Sequence, residues 1–591
     1  MNITQPQNYV SLLLLLLMLV FPVVAGSPFV YHIFILVFSY AALASAWNVV
    51  GGFAGQLSLG HAVYYGVGSY TATLLMINFG ISPWIGMVAG ALLASVISVF
   101  VSWPCFRLRG PFFALASIAV LEVVRLLVIN QHGLTGGSAG LAVPLQQGVE
   151  WMVFRERWPY LVISFGLLSA ALFVSWKIKN SRLGYYLIAV REREDAALAV
   201  GVNAVRVKLA AVIISAFLTS TVGSFHAMYF TFIEPGAVFS LELSIQIAMF
   251  ALIGGLGTIS GPVIGTVLVL PLAELARGWL GDFADGFHGF VYGVVLVIVV
   301  LTIPRGLVGQ FGARVGALIN RLPGYKEPET VQPSTSTLTH VQSETLGQPI
   351  LVAEHLHKYF GGVHATNDVS LTLKEGEIIG VIGPNGAGKT TVFNQLSGFL
   401  KPTSGSVRIR TSYGEWVTPK SPAEFAKAGI GRTFQIVQPF ADLSVRENIM
   451  IGAFMNTDDH VEARAIAAEV AQLTDLTDQL DKVARDLTVG GMKRLEMARA
   501  LATRPRILLL DEVLAGLNPS DITKAIEIIR RIRDTGVSIL MIEHIMQATM
   551  SLSDHVAVIN SGSLLIEGEP EKVVKDPQVI EAYLGKEYSH A

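Results

Sequence analysis

The first 106 residues contain no Lys, Arg, Asp or Glu. A water-soluble fold does not leave so long a stretch uncharged, because a solvated surface needs charge. Over all 591 residues the charged fraction is only 15%, where soluble domains carry about 25%. Cysteine is nearly absent as well: Cys105 stands alone, which excludes an internal disulfide. The formal net charge is −2, so no basic excess points to nucleic acid as a partner. No basic residue precedes the apolar run at 9–25, and no small-residue cleavage site separates it from the next run. That run therefore reads as a first transmembrane helix rather than a signal peptide.

What the chain does contain is apolar sequence. The hydrophobic fraction is 52% and the mean hydropathy is +0.55. Runs long enough to span a membrane fall near 9–25, 29–50, 57–79, 83–103, 111–131, 158–176, 209–231 and 287–303. Basic residues set their orientation. Lys177, Lys179, Arg182, Arg191, Arg193, Arg206 and Lys208 crowd one connection, Arg107 and Arg109 follow the fourth run, and Arg305, Arg314 and Arg321 follow the last. The positive-inside rule places these on the cytoplasmic side. The block 243–275 must then begin and end on the same, outer side. It is too long for one span and too short for two full ones, and its centre, Gly254 to Pro262, is rich in helix-breaking residues. The expectation is two short helices joined by a Gly-rich turn at membrane depth, facing protein or a wet cavity rather than lipid.

The organisation expected is a transmembrane region over 1–322, a linker over 323–348 and a soluble α/β domain over 349–591. The linker is rich in Pro, Ser, Thr and Glu, and as a coil would reach about 25–30 Å. In the last region, strand-like runs such as Ile378–Ile382, Ile507–Leu510 and Ser538–Ile542 alternate with helical patterns. The first of these leads into Gly383-Pro384-Asn385-Gly386-Ala387-Gly388-Lys389-Thr390-Thr391, a P-loop. Its glycines admit backbone N–H groups to phosphate oxygens, Lys389 suits the β- and γ-phosphates of ATP, and the Thr390 hydroxyl suits Mg²⁺. The second strand ends in Asp511 and Glu512, suited to the Mg²⁺ shell and to polarising an attacking water. Gln435, His544 and the pair Gly490-Gly491 carry little meaning singly: a surface amide, a structural histidine and a helix start.

Together, at this spacing, these residues resemble the ATPases of ABC transporters over about 350–588. The resemblance makes Gln435 the Q-loop residue and a Mg²⁺ ligand, His544 the switch histidine, and Leu487-Thr488-Val489-Gly490-Gly491 the signature. It makes Phe360, or Tyr359 beside it, the aromatic that stacks on adenine, and Asn518 the D-loop position. Val489 and Gly491 depart from the usual Gly and Gln, and Asn518 from the usual Asp. The segments Gly431–Gln435, Leu443–Asn448, Ala515–Pro519 and Val579–Gly585 narrow the resemblance to the ATPase of branched-chain amino acid importers. The first half is similar to the matching permease through Asn48–Ala62, Arg107–Ala114 and Leu134–Gly137.

This double resemblance implies a polytopic α-helical permease followed by a P-loop ATPase in one chain of a bacterial cytoplasmic membrane, with the ATPase inside. It implies a second permease, a second ATPase and a periplasmic binding protein as partners, besides lipid. Branched-chain amino acids are the expected cargo, with urea, short amides and aromatic acids used by relatives. A half-exporter would have fewer and longer spans, and a signalling membrane ATPase would transport nothing. Asp195-Ala196-Ala197, followed three residues later by Gly201, resembles the coupling loop of importers with Asp for Glu. Two features stay open. Glu122 and Arg125 can pair on one face of the fifth run, as a functional site or a structural ion pair. Asn48, Gln56, Ser58 and His61 could line a route or a packing face.

Overall fold

The computed structural model describes residues 6–106, 110–280, 293–294, 297–298, 301–303, 306–322 and 346–584. Arg107, Arg109, Asp282, Asp285 and Arg305, most of the expected last span, and the linker from Pro323 through residue 345 lie outside the described residues. The chain divides into two compact units. The first is Met1–Arg191 with Val205–Pro328, and the second is Glu192–Ala204 with Glu329–Ala591. The division falls inside the expected linker. The segment carrying Asp195, Ala196, Ala197 and Gly201 belongs with the second unit.

The first unit is helical. Its elements are α1 (Pro6–Ala25), α2 (Pro28–Asn48), α3 (Ala62–Phe79), α4 (Pro83–Cys105), α5 (Pro111–Asn130), α6 (Trp158–Lys179), α7 (Arg182–Glu192), α8 (Glu194–Ala199, counted with the second unit), α9 (Ala204–Phe230), α10 (Leu241–Gly254), α11 (Gly261–Leu280) and α12 (Gly306–Ile319). Proline sits in the first turn of α2, α4, α5 and α6, where its missing N–H costs nothing. Six stretches among the described residues are long and apolar enough to cross a membrane: Pro28–Phe53, Pro83–Cys105, Pro111–Asn130, Trp158–Lys179, Ala204–Phe230 and Pro235–Gly254. The third expected run is shorter than its sequence suggests, because helix begins at Ala62. Side chains take over the hydrogen bonding of the segment before it. Trp47 Nε1 donates to the Ser58 carbonyl at 2.7 Å and the Leu59 N–H donates to Ser117 Oγ at 2.9 Å, so this backbone needs no helix to be satisfied.

Small residues bring helices together. A Cβ on Gly86 would stand 2.8 Å from Ala72 Cα, and one on Gly90 3.1 Å from Gly68 Cα, so α3 and α4 touch backbone to backbone. The block 243–275 forms the helices α10 and α11, joined by a turn through Gly255, Gly257 and Ser260. This turn is tied to the end of α2. Asn48 Oδ1 accepts from the Gly257 N–H at 2.9 Å and its Nδ2 donates to the Thr258 carbonyl at 2.8 Å. Beyond Asn48, α2 widens into a π-turn, Val49–Phe53, and Arg191 donates to the Gly52 carbonyl at 2.8 Å. His61 is bonded at both ring nitrogens, to Ser58 and Ser215 hydroxyls. Asn48, Ser58 and His61 thus fasten helices to one another, which is the packing alternative.

The second unit holds two sheets. Its elements are β1 (Pro349–Phe360), β2 (Val363–Lys374), β3 (Ile378–Ile382), α13 (Lys389–Leu396), β4 (Ser404–Arg410), β5 (Trp416–Val417), α14 (Pro422–Lys427), β6 (Ile430–Arg432), α15 (Val445–Ala453), α16 (His460–Leu473), α17 (Val489–Leu501), β7 (Ile507–Asp511), α18 (Pro519–Asp534), β8 (Ser538–Ile542), β9 (His555–Asn560) and β10 (Ser563–Gly568). One sheet runs β2-β1-β4-β5 and is antiparallel; the other runs β10-β9-β3-β8-β7-β6. In the second sheet β9, β3, β8, β7 and β6 are parallel and β10 is antiparallel. β3, β7 and β8 are buried at every residue, as apolar strands covered on both faces must be. Parallel pairing brings the carboxyl ends of β3, β6, β7 and β8 to one edge of the sheet, where open α/β sheets bind ligands. Within this unit α8 packs on α14, and the Asp442 N–H donates to Glu192 Oε2 at 3.2 Å. Gly201, at φ +84°, leaves no room for a Cβ beside Met455 Sδ.

Candidate nucleotide site

The loop after β3 is shaped by glycines. Gly386 and Gly388 have φ of +79° and +99°. A Cβ on Gly383 or Gly388 would stand 2.0 or 2.3 Å from the carbonyls of Ile559 or Ala365, whereas one on Gly386 would meet nothing within 4 Å. The loop is thus packed on its inner side and open at Gly386, and it ends at the N-terminus of α13. Lys389 lies over it, donating to the carbonyls of Gly383 at 2.7 Å and Pro384 at 2.9 Å. Burial lowers the Lys389 pKa, while the charges of Glu512 and Asp511 push it back up. Thr390 and Asn385 are exposed and Thr391 is half-buried. From the C-terminal helix Pro577–Leu584, the Tyr583 phenol is raised by burial and drawn back by the backbone of Gly383.

The ends of β6, β7 and β8 supply the other groups. Glu512 follows β7 in the left-handed region, at φ +49°, a strained setting for a residue with a Cβ. Its two oxygens are divided between neighbours: Gln435 Nε2 donates to Oε2 at 3.0 Å, and His544 Nε2 lies 2.8 Å from Oε1. Three residues widely separated in sequence therefore meet on one carboxylate. Beside it, Asp511 is 1% exposed. Its Oδ2 is 3.5 Å from the Arg432 guanidinium, and its Oδ1 is buried with no hydrogen-bond partner among the described residues. Burial raises the Asp511 pKa, with Arg432 opposing and Glu512 reinforcing the shift. Glu543, next to His544, has the same character. Oε1 accepts from the Leu514 N–H at 2.9 Å, Oε2 is buried with no hydrogen-bond partner among the described residues, and burial lifts its pKa to about 7.

Three buried ionisable residues of α17 complete the site, none singled out by its motifs. Lys493 Nζ donates to the carbonyls of Glu512 and Ala515, both at 2.7 Å. Glu496 accepts from the N–H groups of Phe434 and Gln438 at 3.2 and 2.9 Å. Arg499 donates to the Gln438 carbonyl at 2.7 Å and covers the Phe440 ring. At intervals of three along one helix, they hold the backbone on either side of Gln435 and around Glu512. The interval was readable in the sequence. That it faces inward was not, since such residues on a soluble helix are usually solvated.

Other expected residues lie apart. Thr488 caps α17 by accepting from the Gly491 N–H at 3.2 Å, Leu487 is buried and Val489 is exposed. Gly490 faces the Asp521 carboxylate, and Asn518 caps α18 through the Asp521 N–H at 2.8 Å. No described hydrogen bond joins Leu487–Gly491 to the phosphate loop. Phe360 is 52% exposed at the end of β1 with Lys358 over its ring. Tyr359 is engaged by His357 and His364.

A glycine-shaped loop running into a helix N-terminus, beside a carboxylate held by an amide and an imidazole, is the arrangement expected of an ATP-binding cassette. Family models agree. Residues 29–300 match the permease component of the branched-chain amino acid transport system. Residues 366–515 match ABC transporters, and 565–589 the branched-chain amino acid ATP-binding cassette transporters. The high-affinity branched-chain amino acid transport ATP-binding protein BraF of Pseudomonas aeruginosa is 40% identical over 257 residues, 41% of this chain and 100% of that protein. LivG of Salmonella typhimurium is 39% identical over 259 residues, with the same coverage. A solved ATP-binding cassette of an ABC transporter, in its ADP conformation, is 32% identical over 40% of this chain and 100% of that chain, with a TM-score of 0.37. The chain belongs to the branched-chain amino acid ABC transporter family, with permease and ATP-binding components in one polypeptide, and is an ATP hydrolase coupled to transport.

Proposed function

We propose that the chain is half of an importer that moves branched-chain amino acids across a bacterial cytoplasmic membrane. It would work with a second permease, a second ATPase and a periplasmic binding protein. The observation that carries the chemistry is the Glu512 carboxylate shared by Gln435 and His544. An acceptor so placed takes the proton of a water as that water attacks the γ-phosphorus, and ADP leaves as the bond to the β-phosphate oxygen breaks. His544 steadies the carboxylate. Gly383 to Thr391 and Lys389 bind the phosphates and Phe360 stacks on the base. The orphaned Asp511 Oδ1 fits a cation, so Asp511, Thr390 and Gln435 would hold Mg²⁺, which neutralises phosphate charge.

Asp195, Ala196, Ala197 and Gly201 serve as the coupling segment. The nucleotide site takes its phosphate loop from one ATPase and its signature, Leu487–Gly491, from the other. Val489, Gly491 and Asn518 favour a different ATPase as partner over a second copy. Intact-mass analysis of the complex purified from its native membrane tests this, and a stoichiometric homodimer with full uptake would refute it. The cargo is tested in vesicles holding the whole complex, ATP inside and binding protein outside. Leucine, isoleucine or valine should accumulate only with ATP. Accumulation of urea or an aromatic acid in their place would replace the cargo, and hydrolysis with no uptake at all would remove the importer.

A further inference from the structure

Helix α5 differs from the other candidate spans. Only 22% of its most apolar window is buried, against 89% for Pro28–Phe53. Its inner face, Phe113, Ala114, Ser117 and Leu121, packs on the rest of the unit. Its outer face repeats at alternating intervals of three and four: Phe112, Leu115, Ala119, Glu122, Leu126. Phe112, Leu115 and Leu126 are 65, 62 and 57% exposed. Among the described residues α5 is also the one candidate span that carries opposite charges, Glu122 and Arg125.

Their depth matters. At 1.5 Å per residue, Glu122 stands about 16 Å from Pro111 and about 12 Å from Asn130, close to the middle of a core about 30 Å thick. Neither side chain is buried by this unit: exposure is 40% for Glu122 and 32% for Arg125. Arg125 Nε and Nη2 both donate to Glu122 Oε2, at 2.9 and 2.7 Å. Glu122 Oε1 and Arg125 Nη1 have no hydrogen-bond partner among the described residues, so a free acceptor and a free donor lie side by side. A structural pair would be expected to be closed off and saturated. Charges inside a membrane face a bundle interior or water, and hydrocarbon penalises them. This unit does not cover the pair, so a partner protein or water must.

We propose that this face of α5 lines the solute route and that Glu122 and Arg125 recognise a zwitterionic solute there. Arg125 takes the carboxylate and Glu122 the ammonium group. The far wall is the second permease, which rests on the function proposed above.

The test uses the full complex purified without its binding protein, whose own selectivity would otherwise set the ratios, and three competitors of labelled leucine binding: leucine, leucinamide, which lacks the carboxylate, and 4-methylpentanoate, which lacks the amine. Arg125→Gln should abolish the preference for leucine over leucinamide, and Glu122→Gln the preference over 4-methylpentanoate, each a change of about tenfold or more. A ratio of competitors is read, so the amount of folded transporter cancels. The double variant Glu122→Gln/Arg125→Met removes both charges. If it keeps the wild-type ratios, the pair is structural and the proposal is overturned. If the wild-type complex carries no amino acid, the cargo assignment fails, and a second measurement still decides the route. In a Cys105→Ser background, Ala119→Cys should react with a membrane-impermeant thiol reagent in at least one nucleotide state. Failure to react in every state overturns the route.

Discussion

Asn48 in the first unit and Asp511 in the second are both 1% exposed, and each closes an apolar element. Asn48 ends α2 with its oxygen and its amide both engaged across the fold, on Gly257 and Thr258. Asp511 ends β7 with one oxygen against Arg432 and the other bare. In an interior a saturated polar group fixes a joint, while an unsaturated one costs stability and is retained where a ligand completes it. The same division separates His61, bonded at both nitrogens, from Glu543, with one idle oxygen.

The comparison breaks most visibly at Glu512. Glu512→Gln keeps Lys389, Thr390 and Asp511, so ATP binding should persist while turnover at saturating ATP falls more than about tenfold. Near-normal turnover of the complex would remove Glu512 from its role. Next comes Lys493. Lys493→Met frees the carbonyls of Glu512 and Ala515, and with them the strained backbone that aims the carboxylate. The expected result is a fall of about tenfold in kcat with little change in ATP KM, partly restored by Lys493→Arg. A KM effect alone would make Lys493 a binding residue.

These two positions mark where the sequence was readable. The Gly383–Thr391 motif is contiguous, so its glycines and spacing could be read directly, and strands buried on both faces are apolar throughout. The two helices and Gly-rich turn of 243–275 followed from parity and from Gly254 to Pro262, but their expected shortness did not hold: α11 runs 20 residues and Pro235–Gly254 is itself long enough to cross a membrane. The meeting of Gln435, Glu512 and His544 depends on three parallel strand ends, and only the family resemblance brought it into view. Lys493 and Glu543 were missed because charge is read as exposed unless a partner is known, and their partners are backbone groups of a loop. Asn48 and His61 could not be assigned before their partners, Gly257 and Ser215, were placed beside them.

The saturated side of the comparison gives a stability effect. Asn48→Ala leaves the Gly257 N–H and the Thr258 carbonyl without partners, at a cost of about 1–3 kcal/mol. The full chain in detergent should melt a few degrees lower, and an unchanged melting temperature would mean that the turn is held by other means. The smallest effect is a slope. Burial lifts Glu543 to about 7, so the folded chain holds this proton more tightly than the unfolded chain. The associated stability is complete below the ordinary carboxylate range and is lost as pH rises through about 7. The melting temperature of Glu543→Gln should fall less than that of the wild type between pH 5 and 8 (about 1–3 kcal/mol of pH-dependent stability). Parallel slopes would show that Glu543 is ordinary.

The second unit is discontinuous in sequence, with Glu192–Ala204 arriving from within the first half and Glu329–Ala591 forming the rest. In genetic terms, splitting the gene anywhere between codons 329 and 348 would leave the upstream product carrying a tab that belongs to the downstream one. The covalent join fixes the ratio of the two products at one to one.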